Sequence, residues 1–200
     1  MANIENLRKN LESNGYTTSF FATKEEAADY ICGALSGETV GIGGSMTVES
    51  MGIYDRLQEN NTVYWHWKQD KATALAGAAA AEVYICSVNG VAETGELVNI
   101  DGTGNRLAAS TYGKKKVFLV IGTNKVVPTL EDAISRARNI AAPMNTRRFQ
   151  FTTPCAVGKE MKCYDCSHPQ RICKGLQIFL RKMGGVAQCE VVIVDEALGF

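Results

Sequence analysis

The apolar positions alternate along the chain between a helical period and short strand-like runs. Ile4, Leu7 and Leu11 share one helical face, and Gly15 follows as a helix stop. Tyr16 to Phe21 is rich in strand formers. Thr23 and Glu26 have capping-box spacing, so hydroxyl and carboxylate can each accept from the other's free amide. Ala27, Ala28, Ile31 and Leu35 continue the helix that this box opens. Residues 39–42 form a short apolar run, and Val48, Met51 and Leu57 predict another helix. Val63, Trp65 and Trp67 alternate as in a half-buried strand. The alanine-rich stretch 71–81 predicts a tightly packed helix, and 83–88 a buried strand.

Further along, 96–100 alternates again and 117–121 is a second buried strand. A helix is expected over about 130–142, with Leu130, Ala133, Ile134 and Ala137 on one side. After a cysteine-bearing segment, the pattern predicts a helix over about 176–183 and a last strand over 190–194. Strands alternating with helices imply an α/β fold, with a mostly parallel sheet flanked by helices. No repeat, low-complexity tract or long linker divides residues 1–200, so one domain is expected, with 151–175 as its cysteine-bearing segment.

Composition narrows the classes of function. Lysine plus arginine equals aspartate plus glutamate, 21 each, so no overall electrostatic footprint for nucleic acid is expected. The run Lys114-Lys115-Lys116 reads as the solvated start of a strand. No stretch reaches the ~20 apolar residues of a membrane span. The N-terminus lacks an apolar signal core, so the expected compartment is the cytoplasm. The seven cysteines are odd in number, which argues against a disulfide framework and for metal or redox chemistry.

Four of those cysteines cluster: Cys155, Cys163, Cys166 and Cys173, spaced C-x7-C-x2-C-x6-C. A C-x2-C pair brings two thiolates to one metal from a tight turn, and two flanking cysteines complete a tetrahedral sulfur site. The same set can hold a 4Fe-4S cluster. Zinc and iron–sulfur both remain open. So does a C-x2-C redox pair with two bystanders. The irregular spacing, without a second C-x2-C knuckle, leans toward iron–sulfur. Asp165 and His168 are secondary candidates, His168 more as a surface residue. Cys32, Cys86 and Cys189 read as structural, the last at the border of the final strand.

Two loops suggest a ligand cleft. Gly41-Ile-Gly43-Gly44-Ser45 lies between strand and helix, where small residues let backbone amides approach an anion. No Gly-Lys-Ser/Thr follows and the dinucleotide glycine pattern is incomplete, so it is neither of those motifs. A turn role alone would also account for these glycines. Asn89 to Gly95 follows a buried strand, and ligands in parallel α/β folds sit beyond strand carboxyl ends. Glu93 is then a candidate acid, base or nucleophile, flanked by Thr94 and Gly95. Asn105 and Arg106 can clamp a carboxylate or phosphate. The alternative leaves Glu93 a turn carboxylate and Arg106 a surface cation.

Taken together, these pieces resemble the LUD domain family, named for lactate utilisation. The likeness rests on Gly41–Ser45 with Thr47 and Glu49, Val91-Ala-Glu-Thr-Gly-Glu-Leu97, Asn105-Arg106-Leu107 and Val127-Pro-Thr-Leu-Glu-Asp-Ala133. The pattern Cys163-Tyr-Asp-Cys-Ser-His-Pro-Gln-Arg-Ile-Cys173 is similar to that of a short subgroup. The resemblance implies a NagB/RpiA/CoA transferase-like fold, in which glycine loops hold phosphate or CoA and a nearby acidic residue does chemistry. It matches Gly43, Gly44 and Ser45 to the anion loop and puts Glu93 near the acidic position. The Ser-Glu-Asn-Gly motif of CoA transferases and the aspartate-rich isomerase loop are missing. The implied role is in lactate-type organic-acid metabolism, with a small anionic metabolite in the cleft and an iron–sulfur oxidoreductase partner. A redox or electron-transfer accessory role built on the cysteines is the alternative.

Overall fold

The computed structural model describes residues 3–200. Its main sheet has six parallel strands in the order β1-β10-β7-β4-β2-β3. These are β1 (Thr17–Phe21), β2 (Thr39–Ile42), β3 (Thr62–Trp65), β4 (Val83–Cys86), β7 (Tyr112–Gly122) and β10 (Gly185–Val194). The fold is α/β with helices on both faces of this sheet, as the alternating pattern predicts.

On one face, α2 (Lys24–Gly33), α3 (Met46–Ser50) and α4 (Ile53–Gln58) bury Ile31, Val48, Ile53 and Leu57 against Ile42, Ile85, Phe118 and Val192. The other face packs Val117, Leu119, Ile121 and Val191 against Leu7 and Leu11 of α1 (Ile4–Ser13). The capping box at the start of α2 is formed: Thr23 Oγ1 accepts from the Glu26 amide, and the Glu26 carboxylate accepts from the Thr23 amide. Helix α5 (Lys71–Ala80) lies close on β2 because both surfaces are small. A Cβ on Gly41 would come within 2.8 Å of the Ala78 carbonyl oxygen.

A second sheet, β8-β5-β6-β9, joins β5 (Gly90–Ala92), β6 (Leu97–Asp101), β8 (Val126–Val127) and β9 (Gly175–Phe179). Its Val98 and Ile100 pack on Ala133 and Ala137. The helix expected over 130–142 is divided there. α7 (Leu130–Arg136) runs into a π-helical turn (Ala137–Ala141) and then α8 (Ala142–Arg148). Two short helices complete the set, α6 (Asn105–Ala109) and α9 (Pro154–Val157).

Several expectations need correction. Residues 176–183 are no helix: Leu176, Ile178 and Phe179 pair with Ile100, Val98 and Leu97 on the free edge of β6. Leu176, Ile178 and Leu180 recur every second residue, and an open edge rewards that period over the helical one. The last strand begins at Gly185, so Cys189 lies inside it and is buried. Trp67 lies beyond the end of β3. Lys114 is not solvated. It is buried, and its Nζ donates to the carbonyls of Ala78, Ala79 and Ala81 at 3.1, 2.5 and 2.6 Å, capping the end of α5. Among the described residues, no helix is long and apolar enough to cross a membrane.

Candidate functional site

The strand order reverses between β2 and β4. From β2 the chain steps outward to β3, then returns through β4 toward β7 and β10. Ligands in open parallel sheets gather beyond the strand carboxyl ends at such a switch point. A cleft of about 450 Å³ opens there, within the usual range for small-molecule sites. Gly44 and Ser45 reach it from the end of β2, His66 and Trp67 from β3, Ser87 from β4 and Lys125 from β7.

Ser45 caps α3, its Oγ accepting from the Val48 amide at 3.2 Å. Gly43 lies just beneath the cleft, where a Cβ would come within 2.9 Å of Arg106 Cγ, Cys86 Cβ and the Tyr84 hydroxyl. A glycine is required there by close packing. Asp101, at the end of β6, organises the opposite wall. Its carboxylate accepts from the Thr103 and Gly104 amides, both at 2.7 Å, and from Arg106 Nε at 2.8 Å. Arg106 Nη2 also donates to the Ile100 carbonyl, so the guanidinium is held from two sides. Asn105 borders the cleft too, with Nδ2 3.4 Å from the Tyr84 hydroxyl.

The electrostatics are one-sided. Lys71, Arg106, Lys125, Arg148, Arg171 and Lys174 line the cleft, with Asp101 the sole carboxylate side chain among its lining residues. Arg148 lies between aromatic faces, 4.8 Å from the Trp67 ring and 4.1 Å from Phe149. Trp67 in turn stacks on buried Trp65 at 5.6 Å. Burial, Lys71 and Arg106 lower the His66 pKa, which favours a neutral ring. Its Nδ1 is buried and has no hydrogen-bond partner among the described residues. Burial, Arg136 and Arg106 push the Lys125 amine well below its ordinary pKa.

Gly44, Ser45, Asn105 and Arg106 are thus brought together, with Gly43 supporting them. Glu93, Thr94 and Gly95 are not. Glu93 Oε1 accepts from the Asn3 amide at 3.0 Å, and its carbonyl accepts from Asn10 Nδ2 at 2.7 Å. The Gly95 carbonyl takes a 3.2 Å bond from Asn14 Nδ2. Thr94 is exposed and bonded to Glu96. This turn fastens β5 and β6 to α1. Lys125, Ser87, His66 and Arg148 escaped the sequence reading. The one available signal was the position of Ser87 and Lys125 just past buried apolar runs.

All four clustered cysteines, Cys155, Cys163, Cys166 and Cys173, line one small pocket. Asp165, between Cys163 and Cys166, has φ 45° and turns its amide back to Cys163 Sγ at 3.4 Å. Arg138 Nη2 lies 3.6 Å from the same sulfur. Thr146 and Thr153 hydroxyls stand 3.4 and 3.3 Å from Cys155 Sγ. Hydrogen bonds of this type stabilise thiolate charge and tune sulfur-ligated metals. Among the described residues no three Cys, His, Asp or Glu donors are gathered tightly enough to hold one metal ion. Asp165 bridges Arg138 and Arg171 at 3.3 and 3.4 Å. His168 stands outside the cysteine pocket and accepts from the Gln170 amide at 3.2 Å.

Comparisons with known proteins bear on the fold and the family. A crystal structure of a DUF162 family protein from Deinococcus radiodurans is similar, with a TM-score of 0.57 at 12% identity. The alignment covers 96% of this chain and 95% of that one, a likeness of fold. No match is found among curated proteins. The LUD domain matches residues 4–194, almost the whole chain, and the protein therefore belongs to the LUD domain family.

Proposed function

We propose that this protein binds a small anionic metabolite of the lactate type at the switch-point cleft and serves organic-acid metabolism. The observation that carries the reading is charge segregation. A chain of zero net charge assembles five cationic side chains, Lys71, Arg106, Arg148, Arg171 and Lys174, and one carboxylate side chain around a cleft of about 450 Å³. Desolvated cations in a concave site attract and orient carboxylate or phosphate. Gly44 and Ser45 supply small, polar contacts, while Arg106, pre-set by Asp101, is the principal clamp. Family membership supports the metabolic setting. The Cys163–Cys173 pattern supports assignment to the short subgroup, and the parallel sheet with its strand-end cleft fits the NagB/RpiA/CoA transferase-like superfamily.

The test is a thermal melt with lactate, oxalate or inorganic phosphate. At a hundred times Kd, binding adds about 2.7 kcal/mol, which for a chain of this size raises Tm by about 5–11 °C. Arg106→Ala should remove the rise. If none of the three anions moves the melt of the wild-type protein, the reading is wrong.

A second reading has its own observation, the convergence of all four cysteines on one pocket. The donors suit a sulfur-ligated metal: a φ-positive knuckle, an amide aimed at Cys163 Sγ and an arginine beside it. Four cysteine sulfurs that share a pocket without closing on a single point suit a multi-iron cluster, whose span is wider than one zinc ion. Such a cluster, bound by Cys155, Cys163, Cys166 and Cys173, would supply one-electron redox capacity or a structural staple. An iron–sulfur oxidoreductase is the partner that would exchange electrons with it. Anaerobic purification with iron, sulfide and zinc analysis decides: a brown, reducible protein supports the cluster, stoichiometric zinc refutes it, and metal-free protein refutes both metals.

A further inference from the structure

Lys125 is the most unusual group in the cleft. It follows the long central strand β7 and lies in a single 3-10 turn, Thr123–Lys125. Only 3% of the residue is exposed, yet it borders the cleft floor. Its Nζ reaches Thr47 Oγ1 and Ser87 Oγ at 2.8 Å each and the Val88 carbonyl oxygen at 3.2 Å. All three partners are uncharged. A buried ammonium without a carboxylate is costly, and proteins commonly escape the cost by deprotonating the lysine. The charges that act on it, Arg136 and Arg106, favour the same outcome, with the Cys86 thiol opposing. Cys86 is itself held protonated, because burial raises its pKa to about 12.

A free amine beside fixed cations is the arrangement that makes lysine a nucleophile toward carbonyls. The surrounding cations supply the other requirement, a counter-charge for a carboxylate attached to that carbonyl. We propose that Lys125 is a carbonyl-reactive amine that condenses with the keto group of a small 2-oxo acid held in the cleft.

The step balances without a redox partner. The Nζ lone pair attacks the keto carbon, a C–N bond forms, and the carbonyl π pair moves to oxygen. A proton leaves nitrogen and reaches that oxygen, with the Ser87 hydroxyl, 2.8 Å from Nζ, placed to relay it. The carbinolamine then loses its hydroxyl, with a second proton, as water and leaves an imine. Arg106, fixed by Asp101, takes the substrate carboxylate. The neighbouring Thr47 hydroxyl donates to the Leu198 carbonyl at 3.1 Å, so its oxygen is turned to accept from Nζ. That contact aims the lysine.

This inference rests on the anion-binding reading of the cleft, and the experiment separates the two. The intact protein is incubated with pyruvate and sodium cyanoborohydride, which reduces an imine to a stable secondary amine. Intact mass and peptide mapping then locate the adduct. The expected result is one adduct per chain on the peptide carrying Lys125. Oxalate, an anion without a keto group, should suppress it. Acetone, a carbonyl without a carboxylate, should label it at least tenfold less. Lys125→Met should abolish the adduct, but oxalate competition on the wild-type protein gives the answer even if that variant misfolds. Should oxalate raise the melting temperature while Lys125 stays unlabelled, the lysine assignment is overturned and the cleft reading survives. If neither effect occurs, both are overturned. Adducts spread over surface lysines and indifferent to oxalate also overturn the assignment.

Discussion

Asp101→Ala is the perturbation whose size the structure specifies best. The Asp101 carboxylate is almost fully buried, with 5% of the side chain exposed, and takes three donors at 2.7–2.8 Å. Two are the backbone amides that set the turn before α6, and the third is Arg106. Each hydrogen bond to a charged group contributes about 1.5–3 kcal/mol, but the three are not additive. Thr103 is exposed, so its amide can recruit water once the turn loosens. Arg106 cannot easily do so, since 14% of its side chain is exposed. Removing one partner of a buried pair costs about 3–5 kcal/mol, and we expect a loss in that range. It corresponds to a fall in Tm of about 6–20 °C. Urea unfolding of wild type, Asp101→Ala, Arg106→Met and the double variant measures both the loss and the coupling. The aspartate variant should cost more than the arginine variant, because Arg106→Met leaves Asp101 its two amides. A loss below about 1 kcal/mol, the level of an exposed pair, would refute the view that Asp101 holds this wall in place.

Glu93→Ala should cost about 0.5–2 kcal/mol, the loss of a capping-type acceptor, and leave the anion-induced melting shift unchanged; a lost shift would return Glu93 to the site. Gly41→Ala should destabilise by about 1–3 kcal/mol, since the new Cβ meets the Ala78 backbone at 2.8 Å; a neutral urea midpoint would show that α5 can move away. Lys125 is shifted down, so between its native pKa and its unfolded value near about 10.4 the native state binds fewer protons than the unfolded chain. Stability therefore rises with pH across that window and falls as pH drops through the native pKa, by up to about 1.4 kcal/mol per unit. Lys125→Met should flatten this slope in urea titrations run at several alkaline pH values, and an unchanged slope would contradict the burial argument.

Much of the fold was legible because local signals and tertiary demands agree. Thr23 and Glu26 announce the start of α2, and the apolar runs 39–42, 83–88 and 117–121 each mark a main-sheet strand, the last lying inside the longer β7. Two errors share one cause, the second sheet. Residues 83–88 read as one strand, but β4 ends at Cys86 and β5 starts at Gly90. The carboxyl end that faces the cleft is therefore Ser87, and Glu93 lies at the end of a different strand. The open edge of β6 likewise recruited residues 175–179, whose period of two was masked by Phe179 and Met183 at helical spacing. Arg106 was visible from its motif. Lys125 was not, since a lysine after Gly-Thr-Asn reads as a surface turn until the packing around it is known. Arg148 and Trp67 meet only because α8 returns across the end of β3, a contact no local pattern encodes.

The cysteine pocket and the cleft share a wall, and that shapes how each can behave. Arg171 and Ile172 border both cavities, and the segment from Pro169 to Lys174 contributes five residues to the cleft. No strand or helix holds this segment. Arg171 steadies it by donating to the Cys166 carbonyl at 2.6 Å and the Cys173 carbonyl at 3.0 Å, and it also contacts Asp165. Irregular backbone with few sheet or helix bonds sits at the low end of local stability. A group ligated by Cys166 and Cys173 would clamp both ends of the wall and reduce the entropy it must lose when an anion binds. By reciprocity, an anion drawn to Arg171 and Lys174 would favour the closed arrangement of the cysteines by the same free energy. With both groups bound, the two candidate centres would be coupled through this shared wall, the ligation of Cys166 and Cys173 setting how much order the cleft must still gain.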